Sequence, residues 1–317
     1  MLSVIICTYN RSESLIGLLN SLLKNQCDFD YEVLVVDNNS KDKTKEVIFS
    51  YMPRFNGRLR YLQETRQGLS FARNTGAIES RGEILAFTDD DCVVDALWLK
   101  NIQETMDNFN AECVFGKILP MWSDLPPDWM KENSNYFYGK LGALDYGDKI
   151  LRVISEEKEF FGGNLAIRKE ALLNLGLFNV ALGRKGASMC AGEDTDLFER
   201  MIKKNKIIIY NPLIFVYHRI DKNRMTKKYF RKISFGSGVS YAFILSAGKK
   251  NKSHNLPSWY IKKSFKIILS YLLSTLAFNK AKSFRLELEV INCWGVYVGY
   301  FKSKLTKKSL LQDTEHK

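Results

Sequence analysis

Close cysteine pairs are missing from this chain of 317 residues: Cys7, Cys27, Cys92, Cys113, Cys190 and Cys293 stand singly along it. They form neither a zinc site nor a disulfide framework, so reduced thiols in a cytoplasmic protein are expected. No basic segment precedes the apolar stretch Met1 to Thr8, which predicts no secretory signal and no export. Long apolar runs are lacking too. Ile267 to Phe278 and Val290 to Phe301 are each about a dozen residues long, against the roughly 20 that cross a bilayer. There is no internal repeat, no low-complexity tract and no motif that reads nucleic acid, so nucleic acid is not an expected partner.

Acidic side chains are scarce in one region only. From Arg219 to Leu310 three of them face twenty Lys and Arg, whereas residues 1 to 218 carry 30 acidic and 26 basic side chains. Within a net charge of +12, a slightly acidic body joined to a basic C-terminal part implies two jobs. With 45% hydrophobic and 26% charged residues, the composition is that of a globular chain able to bury a sizeable core.

What is present reads as alternating strands and helices. LSVIICT at 2–8 and EVLVVD at 32–37 are β-branched runs expected in strands buried on both faces of a parallel sheet. Between them Leu15, Leu18, Leu19, Leu22 and Leu23 repeat at helical spacing, which makes a doubly wound α/β start. A helix from Asn38 through Phe49, a third strand at Leu59 to Gln63 and a helix around Phe71 to Ser80 follow. A fourth strand, Glu83 to Thr88, stops before Asp89, Asp90 and Asp91. Open α/β sheets bind ligands beyond the carboxyl ends of their strands, where Thr8, Asp37 and the aspartates fall. Met121 to Ile150 shows no clean period and reads as long loops. Helices are expected at Glu170 to Leu175 and Asp194 to Lys204, with short strands at Ile207 to Tyr210 and Ile214 to Tyr217. The domain boundary is placed at residue 220, with a basic helical region at 221–317.

Three consecutive carboxylates repel one another unless a cation or basic group neutralises them, and oxygen ligands suit Mg²⁺ or Mn²⁺. Such a cation can bridge a diphosphate leaving group. An acidic triplet also fits a solvated turn or a helix cap; its place after the run ILAFT favours the cation. Glu193 and Asp194, just before a helix, fit a general base or simply the acidic residues favoured at a helix N-terminus. Trp122, Trp129 and Tyr136 fit either stacking on sugar rings or the core.

VIICTYNR at the start, VVDNNS from Val35, GLSFARNTGAIESRGEILAFTDDD from Gly68, FGGNLAIRKEAL from Phe161 and GEDTDLFER from Gly192 occur in one order over residues 1–220. Together they resemble family 2 glycosyltransferases of the GT-A fold. The resemblance implies an α/β fold with a mixed, mostly parallel central sheet. It implies that Thr8 and Tyr9 line a nucleotide pocket, that Asp37 bonds the base or ribose, and that Arg73 faces the diphosphate. Asp89 and Asp91 take the places of the family's two metal-motif aspartates, with Asp91 the direct ligand and Asp90 facing the ribose or sugar. His218 stands where many relatives present a histidine to the metal. Gly162, Gly163 and Asn164 resemble the loop beside the donor sugar and acceptor, and Asp194, with Glu193 before it, the catalytic base. The implied substrates are a UDP, GDP or dTDP sugar and a glycan or lipid-linked acceptor. The implied process is inverting transfer in the making of a surface polysaccharide, at the inner face of the cell membrane.

Two other readings stay open. A nucleotidyltransferase making a nucleotide sugar usually has a glycine-rich phosphate loop where Thr8, Tyr9, Asn10 and Arg11 stand. A non-catalytic nucleotide-sugar-binding protein would lack the Glu193 and Asp194 pair. Lys227, Lys228, Arg231, Lys232 and later Lys262, Lys263 and Lys266, beside apolar stretches, suit a helix at an anionic membrane surface. They suit equally a pair of helices packed on the catalytic domain with solvated lysines.

Overall fold

The unbroken β-branched runs become the interior of a sheet. A computed structural model describes residues 1–155, 157–186, 189, 191–247, 256–277 and 280–312; Cys190 and Phe278, named above, lie outside them. The strands are β1 (Leu2–Thr8), β2 (Tyr31–Asp37), β3 (Leu59–Gln63), β4 (Ile84–Asp89), β5 (Cys92–Val94), β6 (Cys113–Trp122), β7 (Leu151–Val153), β8 (Asn164–Arg168) and β9 (Ile208–Ile220). The helices are α1 (Ser12–Leu22), α2 (Thr44–Tyr51), α3 (Leu69–Glu79), α4 (Trp98–Asn108), α5 (Asp128–Lys131), α6 (Ser134–Lys140), α7 (Lys169–Asn174), α8 (Glu193–Lys203), α9 (Lys227–Ala247), α10 (Ser258–Leu276) and α11 (Lys280–Gln312).

Among the described residues the sheet runs β3-β2-β1-β4-β8-β6-β9-β5, with β7 also on β9. β1 to β4 are parallel neighbours, and β8 enters antiparallel. β1 is followed in sequence by its neighbour on one side and flanked by β4 on the other, so the strand order reverses there. A crevice opens at such a point beyond the carboxyl ends. α1 lays Leu15, Leu18, Leu19 and Leu22 into the core, each fully buried and each stabilising by about 1.5–3 kcal/mol.

The structure departs from the sequence reading in the second half of the sheet. β5 and β6 were not foreseen, and the two short strands expected at 207–217 are one continuous β9. β9 pairs with β6 in parallel, with a register shift between Phe115 and Lys117. At the shift a Cβ on Gly116 would stand 1.6 Å from the carbonyl oxygen of Ile214, so no side chain fits. That glycine and Lys117 hide the strand's alternation from a reading of periodicity.

The chain divides into two compact units, one of residues 1–124, 141–186 and 193–221, the other of 125–140, 187–192 and 222–317. The residues named above for donor, cation and proton transfer lie in the first. In the second, Trp129 meets Phe137, Phe230 and Phe284 edge-on at 5.1–5.5 Å. Tyr136 donates its hydroxyl to Glu289 at 2.6 Å. Both rings are therefore spent in packing. No described helix is long and apolar enough to cross a membrane.

Candidate active site

Parallel register sets the frame: Cys7 of β1 lies opposite Asp89 of β4, and Thr8 opposite Asp37 of β2. Thr8 is buried, and its carbonyl accepts the Asn38 backbone N–H at 2.9 Å; Tyr9, the next residue, is exposed. Asp37 is oriented by the Ser40 backbone N–H at 2.8 Å and the Tyr61 hydroxyl at 3.1 Å. Burial, with the Asp37 charge beside it, pushes the Tyr61 phenol up to about 12. The Asn38 side chain donates to the carbonyls of Glu64 and Arg66 and accepts from the Gly68 backbone N–H, so it clamps the loop leading into α3.

Beyond β4 the carboxylates are already neutralised in part. Arg11, in the turn after β1, donates from Nη1 to Asp91 Oδ2 at 2.6 Å and to Asp90 Oδ1 at 3.1 Å. Burial raises the Asp90 carboxyl above its ordinary range, Arg11 opposing and Asp91 adding to the rise. Pairing of β5 with β9 sets Cys92 opposite His218, and the Arg219 N–H bonds the Asp91 carbonyl at 2.9 Å. His218 Nε2 thereby comes within 3.3 Å of Asp91 Oδ1.

A divalent cation is what the resemblance to family 2 glycosyltransferases implies here. Among the described residues no three His, Cys, Asp or Glu side chains make a finished cage. The donors nonetheless fit. Asp91 and His218 touch, the Asp89 side chain two residues away is 43% exposed, and a guanidinium already sits against the carboxylate pair. Mg²⁺ and Mn²⁺ sites of this kind use one or two protein carboxylates and complete their shell with water and substrate phosphate.

Arg73 of α3 is buried beside Asp89. Its Nη1 donates to Glu193 Oε1 at 2.6 Å, its Nη2 lies 3.5 Å from Asp89 Oδ1, and its guanidinium caps the Phe178 ring at 5.3 Å. Burial disfavours its charge, yet Glu193, Asp89 and Asp194 outweigh burial and keep it firmly protonated. The loop before β8 must pass close by. A Cβ on Gly162 would stand 2.3 Å from Arg73 Nη2, and one on Gly163 2.9 Å from Asp89 Oδ2. The Gly162 N–H donates to Asp194 Oδ2 at 3.1 Å, and the Thr195 N–H to Asp194 Oδ1 at 2.9 Å.

The structure thus brings together Arg73, Asp89, Glu193, Asp194, Gly162 and Gly163. It sets Arg11, Asp90, Asp91 and His218 in a second contact group continuous with the first through the aspartate run. Two residues sit differently from the sequence reading. Asn164 accepts from Trp98 Nε1 and donates to the carbonyls of Lys117 and Ile214, all at 2.9 Å, so its side chain is spent tying β8 to β6 and β9. Glu193 is 4% exposed and its Oε1 accepts from Arg73, so it holds that guanidinium, while burial, with the Asp194 charge beside it, raises its carboxyl above the ordinary range. Arg11 is the residue the sequence reading passed over, although a cation in the turn beside a carboxylate run was a signal.

Residues 3–175 match the family model described as glycosyl transferase family 2. The succinoglycan biosynthesis protein ExoM of Rhizobium meliloti is 28% identical over 259 residues, 81% of this chain and 78% of that one. The glucosyl-dolichyl phosphate glucuronosyltransferase of Haloferax volcanii is 24% identical over 75% of each chain. Among solved structures, the Pyrobaculum calidifontis mannosyltransferase PcManGT, in complex with GDP-Man and Mn²⁺, superposes with a TM-score of 0.64. It is 17% identical, with 96% of this chain and 87% of that one covered. Staphylococcus aureus TarS 1-349 with UDP gives 0.54 at 19% identity, covering 92% and 90%. At these identities the structural likeness is one of fold, and the fold is GT-A.

Proposed function

Because the chain belongs to glycosyltransferase family 2, we propose that it transfers a sugar, with inversion, from a nucleotide-diphosphate sugar to a hydroxyl of a glycan or lipid-linked acceptor. The product on this reading is a cell-surface polysaccharide or its lipid-linked precursor. The observation that carries the proposal is the convergence of Arg73, Asp89 and, through the Gly162 backbone, Asp194 at the carboxyl ends of β1 and β4. The names of ExoM and of the Haloferax enzyme support the polysaccharide and lipid-linked readings.

Asp37 and the Thr8–Tyr9 turn receive the nucleoside. The Arg73 guanidinium, already charged and fixed by Glu193, faces the diphosphate with donors suited to phosphate oxygens. Asp89, Asp91 and His218 would hold a divalent cation, which when bound would neutralise charge growing on the leaving diphosphate. Asp194, oriented by two backbone N–H groups, has lone pairs left to accept the acceptor hydroxyl's proton. As the proton moves to Asp194, the acceptor oxygen bonds to the anomeric carbon, and the bond from that carbon to the diphosphate oxygen breaks. A nucleoside diphosphate leaves. The basic C-terminal region meets an anionic membrane surface at the cytoplasmic side, where a lipid-linked acceptor is presented.

The test is nucleotide release by the full-length protein with Mn²⁺, a lipid-linked glycan extract and a panel of UDP, GDP and dTDP sugars. Acceptor-dependent release from one nucleotide class is expected. Acceptor-independent behaviour with every donor would overturn the proposal.

A further inference from the structure

α10 wears its apolar side chains outward. Its buried residues are Tyr260, Ser264 and Ser274, and Ile267 is partly buried against the small core of Ala242, Tyr260, Cys293, Val296 and Tyr300. At about 100° per residue, Ile261, Phe265, Ile268, Leu269, Leu272 and Leu276 fall on one arc of about 100° on the other side. Each of the six is 41–75% exposed. Apolar residues scattered singly on a surface need no explanation, but a contiguous greasy face on a helix whose inward face carries two serines does.

Charge says what covers it. Lys262 and Lys266 border the apolar arc, Lys263 lies further round, and the helix contains no Asp or Glu. A second copy laid on this face would bring lysines against lysines. A bilayer with anionic headgroups satisfies both halves of the surface at once. α10 has 19 residues, about 28 Å of helix, but it is not apolar enough to cross, so it would lie in the plane of the interface. We propose that the outer face of α10 embeds in the interface of an anionic lipid bilayer, its apolar side chains among the upper acyl chains and Lys262 and Lys266 at the phosphates. The proposal rests on the membrane reading of the basic C-terminal region and names the element that makes the contact.

The experiment uses the full-length protein without donor or acceptor, sedimented with vesicles of phosphatidylcholine alone or mixed with phosphatidylglycerol. The parent chain is expected to bind the anionic vesicles in preference. Phe265→Ser, Leu269→Ser and Leu272→Ser combined should weaken that binding at least about tenfold, and Lys262→Gln with Lys266→Gln should erase the preference for anionic lipid. A Leu272→Cys variant carrying an environment-sensitive fluorophore should shift blue with the same vesicles, which keeps the test sound if the triple variant unfolds. Unchanged binding by a folded triple variant, or no blue shift from a parent-like binder, would overturn the role of α10 while leaving the membrane reading intact. No vesicle binding by the parent chain would overturn both. A parent dimer in sedimentation velocity that the triple variant abolishes, without vesicle binding, would assign the face to a second copy instead.

Discussion

The Arg73–Glu193 pair governs the site at the scale of single residues. Both side chains are buried, so removing Glu193 leaves the Arg73 charge to the more distant Asp89 at 3.5 Å, at a cost of up to about 3–5 kcal/mol. Glu193→Ala is therefore expected to lower the melting temperature by many degrees and to weaken nucleotide-diphosphate binding, as thermal unfolding and titration would show. Gly162→Ala forces a methyl against the same guanidinium and should weaken donor binding at least about tenfold; Gly139→Ala, whose Cβ meets nothing within 4 Å, should not. Glu64 carries a pH signature. Hydrogen bonds from Arg66, then from Thr75 and the Arg66 backbone, hold its carboxyl at about 2 against an ordinary 4.5. Its contribution is thus fully present above about pH 5 and is lost as pH falls through 2. The stability difference between the native protein and Glu64→Gln should stay constant down to about pH 5, shrink progressively below that and level off below about pH 2, which acid titration of unfolding would register. Asp89 and Asp194 were legible as residues because a strand end and a helix start mark them, and Arg73 only through the family resemblance. What Glu193 touches was not, since its partner lies 120 residues away.

Sheet elements decide which distant residues meet. His218 reaches Asp91 only because β5, three residues long, pairs antiparallel with β9. A strand that short has no periodicity to read, and so the contact could be expected only from the family resemblance. The parallel half of the sheet was legible because LSVIICT and YEVLVVD are continuous apolar runs. β6 was not, because Gly116 and Lys117 interrupt its pattern at the register shift. Gly116→Ala puts a methyl into the Ile214 carbonyl, so β6 and β9 must separate there. Loss of more than about 3 kcal/mol in chemical denaturation is expected, with metal affinity falling in parallel because β9 carries His218.

For the whole molecule, the proposed chemistry and the proposed membrane contact fall to different parts of the chain. All the residues assigned to donor, cation and proton transfer belong to the unit of residues 1–124, 141–186 and 193–221, and the excess of positive charge belongs to the region after Arg219. The uneven charge is legible in the sequence. The outward apolar face of α10 is not, because Ile267 to Phe278 reads along the chain as a plain apolar stretch and only the packing shows which side faces out. The central claim is that Asp194 takes the acceptor's proton while the rest of the site binds the donor. It is tested most directly by Asp194→Asn, measured side by side for nucleotide-sugar binding with Mn²⁺ and for sugar transfer. Binding should stay within about twofold of the native protein while transfer falls by about 10²–10⁴; full transfer by this variant would contradict the assignment.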